Sequence, residues 1–321
     1  MVKTMTGAND RTAWLTGCIP DLPTPFADRD RIDLAAFAQL CERQIAAGCS
    51  AIVVGETAGE MATLTPDEHD ALVRAAVRTA RKRVRVIAGA GSNSTSQAIE
   101  LTRRSDAAGA DAVMSVVPYY NKPMQSGIAA HFAAVADCTE LPVILHDIPQ
   151  RTVRGLADDT LLQLAAMPQF IGLRDGSGDV TRPLRLRSRL RPGFRLLSGD
   201  DATAAAFVAQ GGDGSISMTA AVVPELCRKI DALRGHADLR GAQAIAAQLC
   251  RLHAALATDG TPAALKHALG LLDRMSPRVR LPMIEPDATA KAAIAEAIAG
   301  IQKDIDACVL ENRLWRELRA L

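Results

Sequence analysis

The residues best able to do chemistry sit in short polar strings that follow runs rich in Val and Ile. Glu56, Thr57 and Glu60 follow one run, Ser92 and Asn93 the next, and Tyr119, Tyr120 and Asn121 the one after that. His146, Asp147 and Arg151 follow a fourth, then Arg174 and Asp175, then Ser198, Asp200 and Asp201, and finally Ser217 and Thr219. His146 carries a ring whose ordinary pKa, about 6.5, suits proton transfer at neutral pH. Arg174 carries a guanidinium that stays charged and can grip a carboxylate with two parallel hydrogen bonds. It cannot attack a carbonyl as an amine does, because its lone pairs are delocalised. Glu56, His146, Asp147 and Asp175 are also of the types that hold Mg²⁺, Mn²⁺ or Zn²⁺, although their spacing is not diagnostic of a metal site. Each candidate has a plainer reading as well. Arg174 can be a plug paired with Glu56 or Asp175, His146 a satisfied buried histidine, and the two tyrosines packing at a subunit contact.

Strings that recur after apolar runs need a fold that brings the ends of those runs together. The pattern predicts strands at Cys18–Leu22, Ala51–Val54, Val84–Ala88, Ala112–Val117, Pro142–His146, Phe170–Arg174, Arg195–Ser198 and Gly214–Ser217, with helical segments between them. Thr65-Pro66-Asp67-Glu68 reads as a capping box with proline at the first helical position. Asn93-Ser94 and Asp200-Asp201 read as two further helix starts. QIAAGCSAIVV (44–54), SDAAGADAVMS (105–115) and VAQGGDGSISM (208–218) repeat one logic: small residues end a helix, glycine turns the chain, and a strand begins. Near-continuous apolar strands linked by helices imply a parallel sheet with its outer face covered. Eight such units favour an α/β fold of the closed (β/α)8 TIM-barrel type, whose chemistry sits on the loops after the strands. An open doubly wound sheet is the alternative, weakened because no strand is followed by a complete GxGxxG or GxxxxGK[ST] string. From Ala237 the pattern turns helical, with segments at Leu239–Thr258, Pro262–Leu271 and Ala288–Leu318. The expected organisation is therefore an N-terminal tail (1–16), a barrel (17–236) and a C-terminal α-helical region (237–321) serving packing and subunit contact.

Composition sets the outer limits. The 321 residues are 48% hydrophobic and 23% charged, with a mean hydropathy of +0.07, enough to build a large core and inconsistent with disorder. Lys plus Arg number 37 against 36 Asp plus Glu, a net charge of +1, which argues against nucleic acid as a partner. No apolar run reaches membrane-spanning length, and residues 1–16 lack the apolar core of a signal peptide. Seven cysteines, widely spaced and without a CxxC pair, read as thiols of a reducing compartment, so a cytoplasmic location is expected.

From about Gly17 to Pro286 a series of ordered strings carries a resemblance. They are T-P-F (24–26), T-A-G-E-M-A-T-L (57–64), V-I-A-G-A-G-S-N (86–93), P-Y-Y-N-K-P (118–123), H-D-I-P-Q-R-T (146–152), I-G-L-R-D-G-S-G (171–178), L-S-G-D-D (197–201) and R-L-P-M (280–283). With these the chain resembles the dihydrodipicolinate synthase / N-acetylneuraminate lyase family, pyruvate-dependent barrels of class I aldolase type. The resemblance implies a lysine at the end of strand 6 that forms an imine with a keto acid, and the position matching it here is Arg174. The family's proton-relaying tyrosine on strand 5 matches His146, and its pair of hydroxyl positions after strand 2 matches Thr57 and Ala58. Glu56 stands where the family has glycine. Tyr120, which in the family reaches into a neighbouring subunit's pocket, and Arg151, which helps place the acidic second substrate, are retained. The implied substrate contacts are thus Thr57, Ala58, Arg151, Arg174 and Ile216. The ligand would be a small carboxylate or 2-oxo acid, with no cofactor and no metal, and the assembly a homodimer or homotetramer. Among seven lysines only Lys122 falls on a predicted upper loop, where a solvated amine with a pKa of about 10.4 is protonated at neutral pH.

Three functions follow. The first is a lyase or hydratase that works without an imine, with Arg174 gripping a carboxylate, His146 moving a proton, and Thr57 and Tyr120 completing a relay. The second is a non-catalytic relative that keeps the fold for ligand binding or assembly. The third is a metal-dependent lyase built on Glu56, His146, Asp147 and Asp175.

Overall fold

In the computed structural model, which describes residues 12–258 and 262–319, eight strands form one parallel sheet rolled into a barrel. They are β1 (Gly17–Pro20), β2 (Ala51–Val54), β3 (Arg85–Gly89), β4 (Ala112–Val116), β5 (Val143–Asp147), β6 (Phe170–Asp175), β7 (Arg195–Ser198) and β8 (Gly214–Ser217). Hydrogen bonding runs in the order β1-β8-β7-β6-β5-β4-β3-β2. An isolated bridge between Asp21 and Val53 joins the two ends of the sheet, with the Leu22 amide donating to the Val53 carbonyl at 2.9 Å.

The alternation of side chains along each strand decides what faces where. Ile19, Val53, Ile87, Met114, Ile144, Leu197 and Ile216 point inward and pack as a dry layer across the barrel. Their neighbours Ile52 and Val54, and Val143 and Leu145, point outward onto the helices. One step further along β1, β5 and β6 the inward residues become Asp21, His146 and Arg174, so the polar centre lies directly on the apolar layer. Beneath it, Leu15 is fully buried in the same interior cluster, closing the lower end of the barrel. Residues 1–11 of the expected tail lie outside the described residues.

The helices are α1 (Leu34–Ala47), α2 (Pro66–Ala80), α3 (Thr95–Ala107), α4 (Gln125–Ala136), α5 (Pro149–Thr152), α6 (Asp158–Ala165), α7 (Arg182–Leu186), α8 (Ala204–Ala209), α9 (Thr219–Val222), α10 (Pro224–Gly235), α11 (Leu239–Ala257), α12 (Ala263–Leu271) and α13 (Ala288–Arg319). The capping box at α2 forms in full: Thr65 Oγ1 accepts from the Glu68 amide at 3.2 Å, and Glu68 accepts from the Thr65 amide at 2.9 Å. The last three helices bury Leu252, Leu265 and Ile294 in the same cluster as Ile52 and Val54 of β2, so the helical region is packed onto the barrel wall. Among the described residues no helix is long and apolar enough to cross a membrane.

Candidate active site

Glu56 reaches the barrel centre because of two glycines. A Cβ on Gly89 would lie 2.2 Å from the Gly55 carbonyl oxygen and 3.0 Å from Glu56 Cα, so only glycine at the end of β3 lets the turn after β2 press so closely over it. Gly199 does the same for Arg174, since a Cβ there would stand 3.0 Å from Arg174 Cγ. The result is a four-residue cluster. Arg174 Nη1 donates to Asp21 Oδ2 at 2.7 Å and to Glu56 Oε2 at 3.0 Å, and His146 Nδ1 lies 2.8 Å from Glu56 Oε1. Glu56 Oε2 also accepts from the Thr57 amide. All four side chains are buried, with Asp21 and His146 at 0% exposure.

The charges inside this cluster hold each other in place. Burial pushes the Glu56 carboxyl up, but the charge and hydrogen bond of His146, with Arg174 behind them, hold it well below the usual carboxylate range. Glu56 is therefore an acceptor, and His146 Nδ1 donates to it. Burial also raises Asp21, and with the repulsion of Glu56 it outweighs the attraction of Arg174, leaving Asp21 at about 7. Burial works against the charge of Arg174, yet Asp21 and Glu56 more than offset it and raise its pKa. Three polar atoms of the cluster, Asp21 Oδ1, His146 Nε2 and Arg174 Nε, are buried without a hydrogen-bond partner.

A cavity of about 320 Å³ opens above Glu56 and Thr57, with Tyr119, Ile148, Arg151 and Met283 among its walls. A second hollow of about 240 Å³, lined by Gly199, Asp201 and His253, shares Ile148 and Arg151 with the first. Arg151 therefore stands between the two. The wall on the far side is fixed from the C-terminal region. Lys266 of α12, fully buried, pairs with Glu60, donates to the Arg278 carbonyl at 2.8 Å and sits 3.9 Å from the Phe26 ring centroid. Glu60 Oε2 accepts from the Arg280 amide at 3.0 Å. Burial pulls Lys266 down to about 8 although Glu60 works the other way.

Of the expected residues, the fold brings together Glu56, His146 and Arg174, with Thr57 and Arg151 on the cavity wall. Ala58 is fully buried behind Thr57, and Ile216 belongs to the dry layer below rather than to the cavity. Tyr120 is 88% exposed on the loop after β4 and does not line the cavity of its own chain, whereas Tyr119 does. Lys122 is exposed on the same loop. The metal reading needs a correction. Asp147 and Asp175 face outward onto Arg182, at 2.7 and 3.2 Å, while Glu56 and His146 face inward, and the described residues contain no group of three or more His, Cys, Asp or Glu side chains able to hold a metal. Pairing of Arg174 with Asp175 fails for the same reason: consecutive strand residues point to opposite faces. Asp21 and Lys266 were missed by sequence reasoning. The one signal for Asp21 was an acid within the first apolar run, and for Lys266 a lone lysine in the apolar string AALKHALGLL.

The model of the dihydrodipicolinate synthetase family matches residues 14–301. The chain is 46% identical over 290 residues to a 4-hydroxy-tetrahydrodipicolinate synthase of Hyphomonas neptunium, a match covering 89% of this chain and 98% of the relative. It is 42% identical to the enzyme of the same name from Rhodospirillum centenum, over 88% of this chain and 97% of the relative. Among solved structures, dihydrodipicolinate synthase from Acinetobacter baumannii complexed with pyruvate superposes with a TM-score of 0.86 at 35% identity, covering 89% of this chain and 98% of that one.

Proposed function

This chain belongs to the dihydrodipicolinate synthetase family, and we propose that within it the barrel mouth works as a lyase or hydratase on a small 2-oxo acid or similar carboxylate without forming an imine. Arg174 takes the place at the end of β6 where the family resemblance implies the imine-forming lysine. A guanidinium held between Asp21 and Glu56 has no lone pair to offer a carbonyl carbon. The observation that carries the reading is the Glu56–His146 contact at 2.8 Å, which fixes the ring with Nδ1–H toward the carboxylate and leaves Nε2 as the nitrogen that exchanges a proton, an acid when the ring is charged and a base once it is neutral.

In this mechanism Arg151, at the cavity mouth, holds the ligand's carboxylate, and Thr57 accepts or donates a hydrogen bond beside it. His146 Nε2 removes a proton from the carbon next to the ligand's carbonyl, and the negative charge that develops on oxygen lies within the field of Arg174. The enolate then re-forms its carbonyl by expelling a hydroxyl from the following carbon, breaking that C–O bond, and His146 Nε2 returns the proton to it so that water leaves. Tyr120, exposed on the loop after β4, completes the relay in a second copy of the chain, as the family resemblance implies for a homo-oligomer.

The deciding experiment is borohydride reduction in the presence of pyruvate followed by intact-mass measurement. No gain in mass is expected; an adduct mapped to Lys266 or Lys122 would restore imine chemistry by another amine and end this reading. His146→Ala should then lower turnover by roughly 10²–10⁴-fold while ligand binding persists. The second reading, a ligand-binding relative without turnover, is favoured by the compensation of Arg174 by two carboxylates. A thermal-shift screen of keto acids followed by product assays separates the two.

A further inference from the structure

We infer that Glu56 is a built-in occupant of the anion site at the centre of this barrel, and that it keeps small carboxylates from binding there. The inference rests on the reading of Arg174 as an ion-paired guanidinium rather than a reactive amine. Three donors from three different strand ends meet on one carboxylate: the Thr57 amide and Arg174 Nη1 on Oε2, and His146 Nδ1 on Oε1. A backbone N–H, a guanidinium and an imidazole N–H converging on one point are what a protein offers a bound acid. Here the acid is the protein's own. The Gly55–Gly89 approach drives Glu56 inward, and the side chain is 4% exposed, yet it forms part of the wall of the 320 Å³ cavity. Cutting the side chain back joins the space of its carboxylate to that cavity, leaves the Thr57 amide and His146 Nδ1 without this acceptor and leaves Arg174 Nη1 with Asp21 alone, a costly state that an incoming carboxylate relieves. Asp21 remains to balance Arg174 at 2.7 Å.

The consequence is one of specificity. A ligand whose anionic end must sit at the base of the barrel competes with Glu56, whereas one held by Arg151 at the mouth does not. In the wild type, Glu56 therefore selects ligands that present an uncharged end, a carbonyl or hydroxyl, to His146.

Acetate and pyruvate serve as probes, with sodium chloride at matched ionic strength as control, on the wild type, Glu56→Ala and Glu56→Gln. Acetate should raise the thermal midpoint of Glu56→Ala saturably and bind it roughly tenfold or more tighter than it binds the wild type in calorimetric titration. Glu56→Gln, which still fills the space, should behave as the wild type does. Equal responses of Ala and wild type, or a gain in Gln as large as in Ala, overturn the inference. Should Glu56→Ala not fold alone, its refolding yield in acetate against chloride is read instead: higher yield in acetate supports the inference and equal yields overturn it. Borohydride trapping is run on the same samples. An adduct in the wild type defeats the non-imine reading, whereas adduct-free protein without an acetate response in Ala defeats only the role given to Glu56.

Discussion

Two buried arginines lie eight positions apart in the chain and have opposite surroundings. Arg182 is bound at every nitrogen: Nε to Asp158 at 3.0 Å, Nη1 to Asp147 at 2.7 Å and Asp175 at 3.2 Å, and Nη2 to the Leu156 carbonyl. Its partners are satisfied in turn, Asp147 by the Leu156 amide at 3.1 Å and Asp175 by the amide and hydroxyl of Ser177 at 2.9 and 2.6 Å. Arg174, inside the barrel, leaves Nε unpartnered, and its neighbour His146 leaves Nε2 unpartnered. A complete network fastens loops together, and a network with open valences is one built to meet something else. The Arg182 cluster ties α6 and α7 to the ends of β5 and β6 from outside; the Arg174 cluster lies inside the barrel, with Glu56 as its member on the cavity wall.

The largest expected effect tests this division directly. Arg182→Met removes four bonds and strands two buried carboxylates, so it should cost about 3–5 kcal/mol in urea unfolding. Arg174→Met should cost less, because Asp21, already at about 7, takes up a proton readily once its partner is gone. Equal losses in the two variants would break the comparison and make both clusters structural.

A pH series sharpens it. Asp21 has a folded pKa raised above its unfolded value, so the native state holds more protons than the unfolded chain between about pH 4 and 7, and the contribution of this group to stability falls as pH rises through that window. The fall should be on the order of 2 kcal/mol between pH 5 and 7, since one proton changes the slope by about 1.4 kcal/mol per pH unit. Glu56, held low, works in the opposite sense: its contribution is present at neutral pH and lost as pH drops below the usual carboxylate range. Unfolding midpoints of Asp21→Asn measured against the wild type across this range should lack the neutral-side decline. An identical slope in both proteins would place the titration elsewhere.

The barrel was legible because hydropathy and turn chemistry repeat. The predicted strands at 51–54, 195–198 and 214–217 form as read. Others run one residue further, to Gly89, Asp147 and Asp175, because backbone pairing continues into the polar mouth where hydropathy has already stopped. In the site, Glu56, His146 and Arg174 could be gathered from strand ends alone. Asp21 could not, because the run 18–22 absorbed it, although the step from Ile19 to Asp21 places it on the inner face. The same period of two would have separated Asp147 and Asp175 from His146 and Arg174, their immediate neighbours in sequence. Lys266 was beyond any local pattern, since only the folding of α12 onto the rim brings it to Glu60.

The smallest expected effect concerns Arg185, which shares Asp158 with Arg182. Arg185 Nε lies 3.1 Å from Asp158 and Nη1 2.9 Å from Asp179, distances as short as those of its buried neighbour. Its side chain is 47% exposed, and water already solvates the charges it pairs with. Arg185→Ala should therefore cost less than about 1 kcal/mol, and that loss should shrink further in about 0.5 M salt. Arg182→Met should keep its full cost in the same salt, because ions do not reach the interior to screen it. If salt weakens both variants alike, the number of charges around Asp158 and not their burial governs stability, and the distinction between a fastened cluster and an open one loses its physical basis.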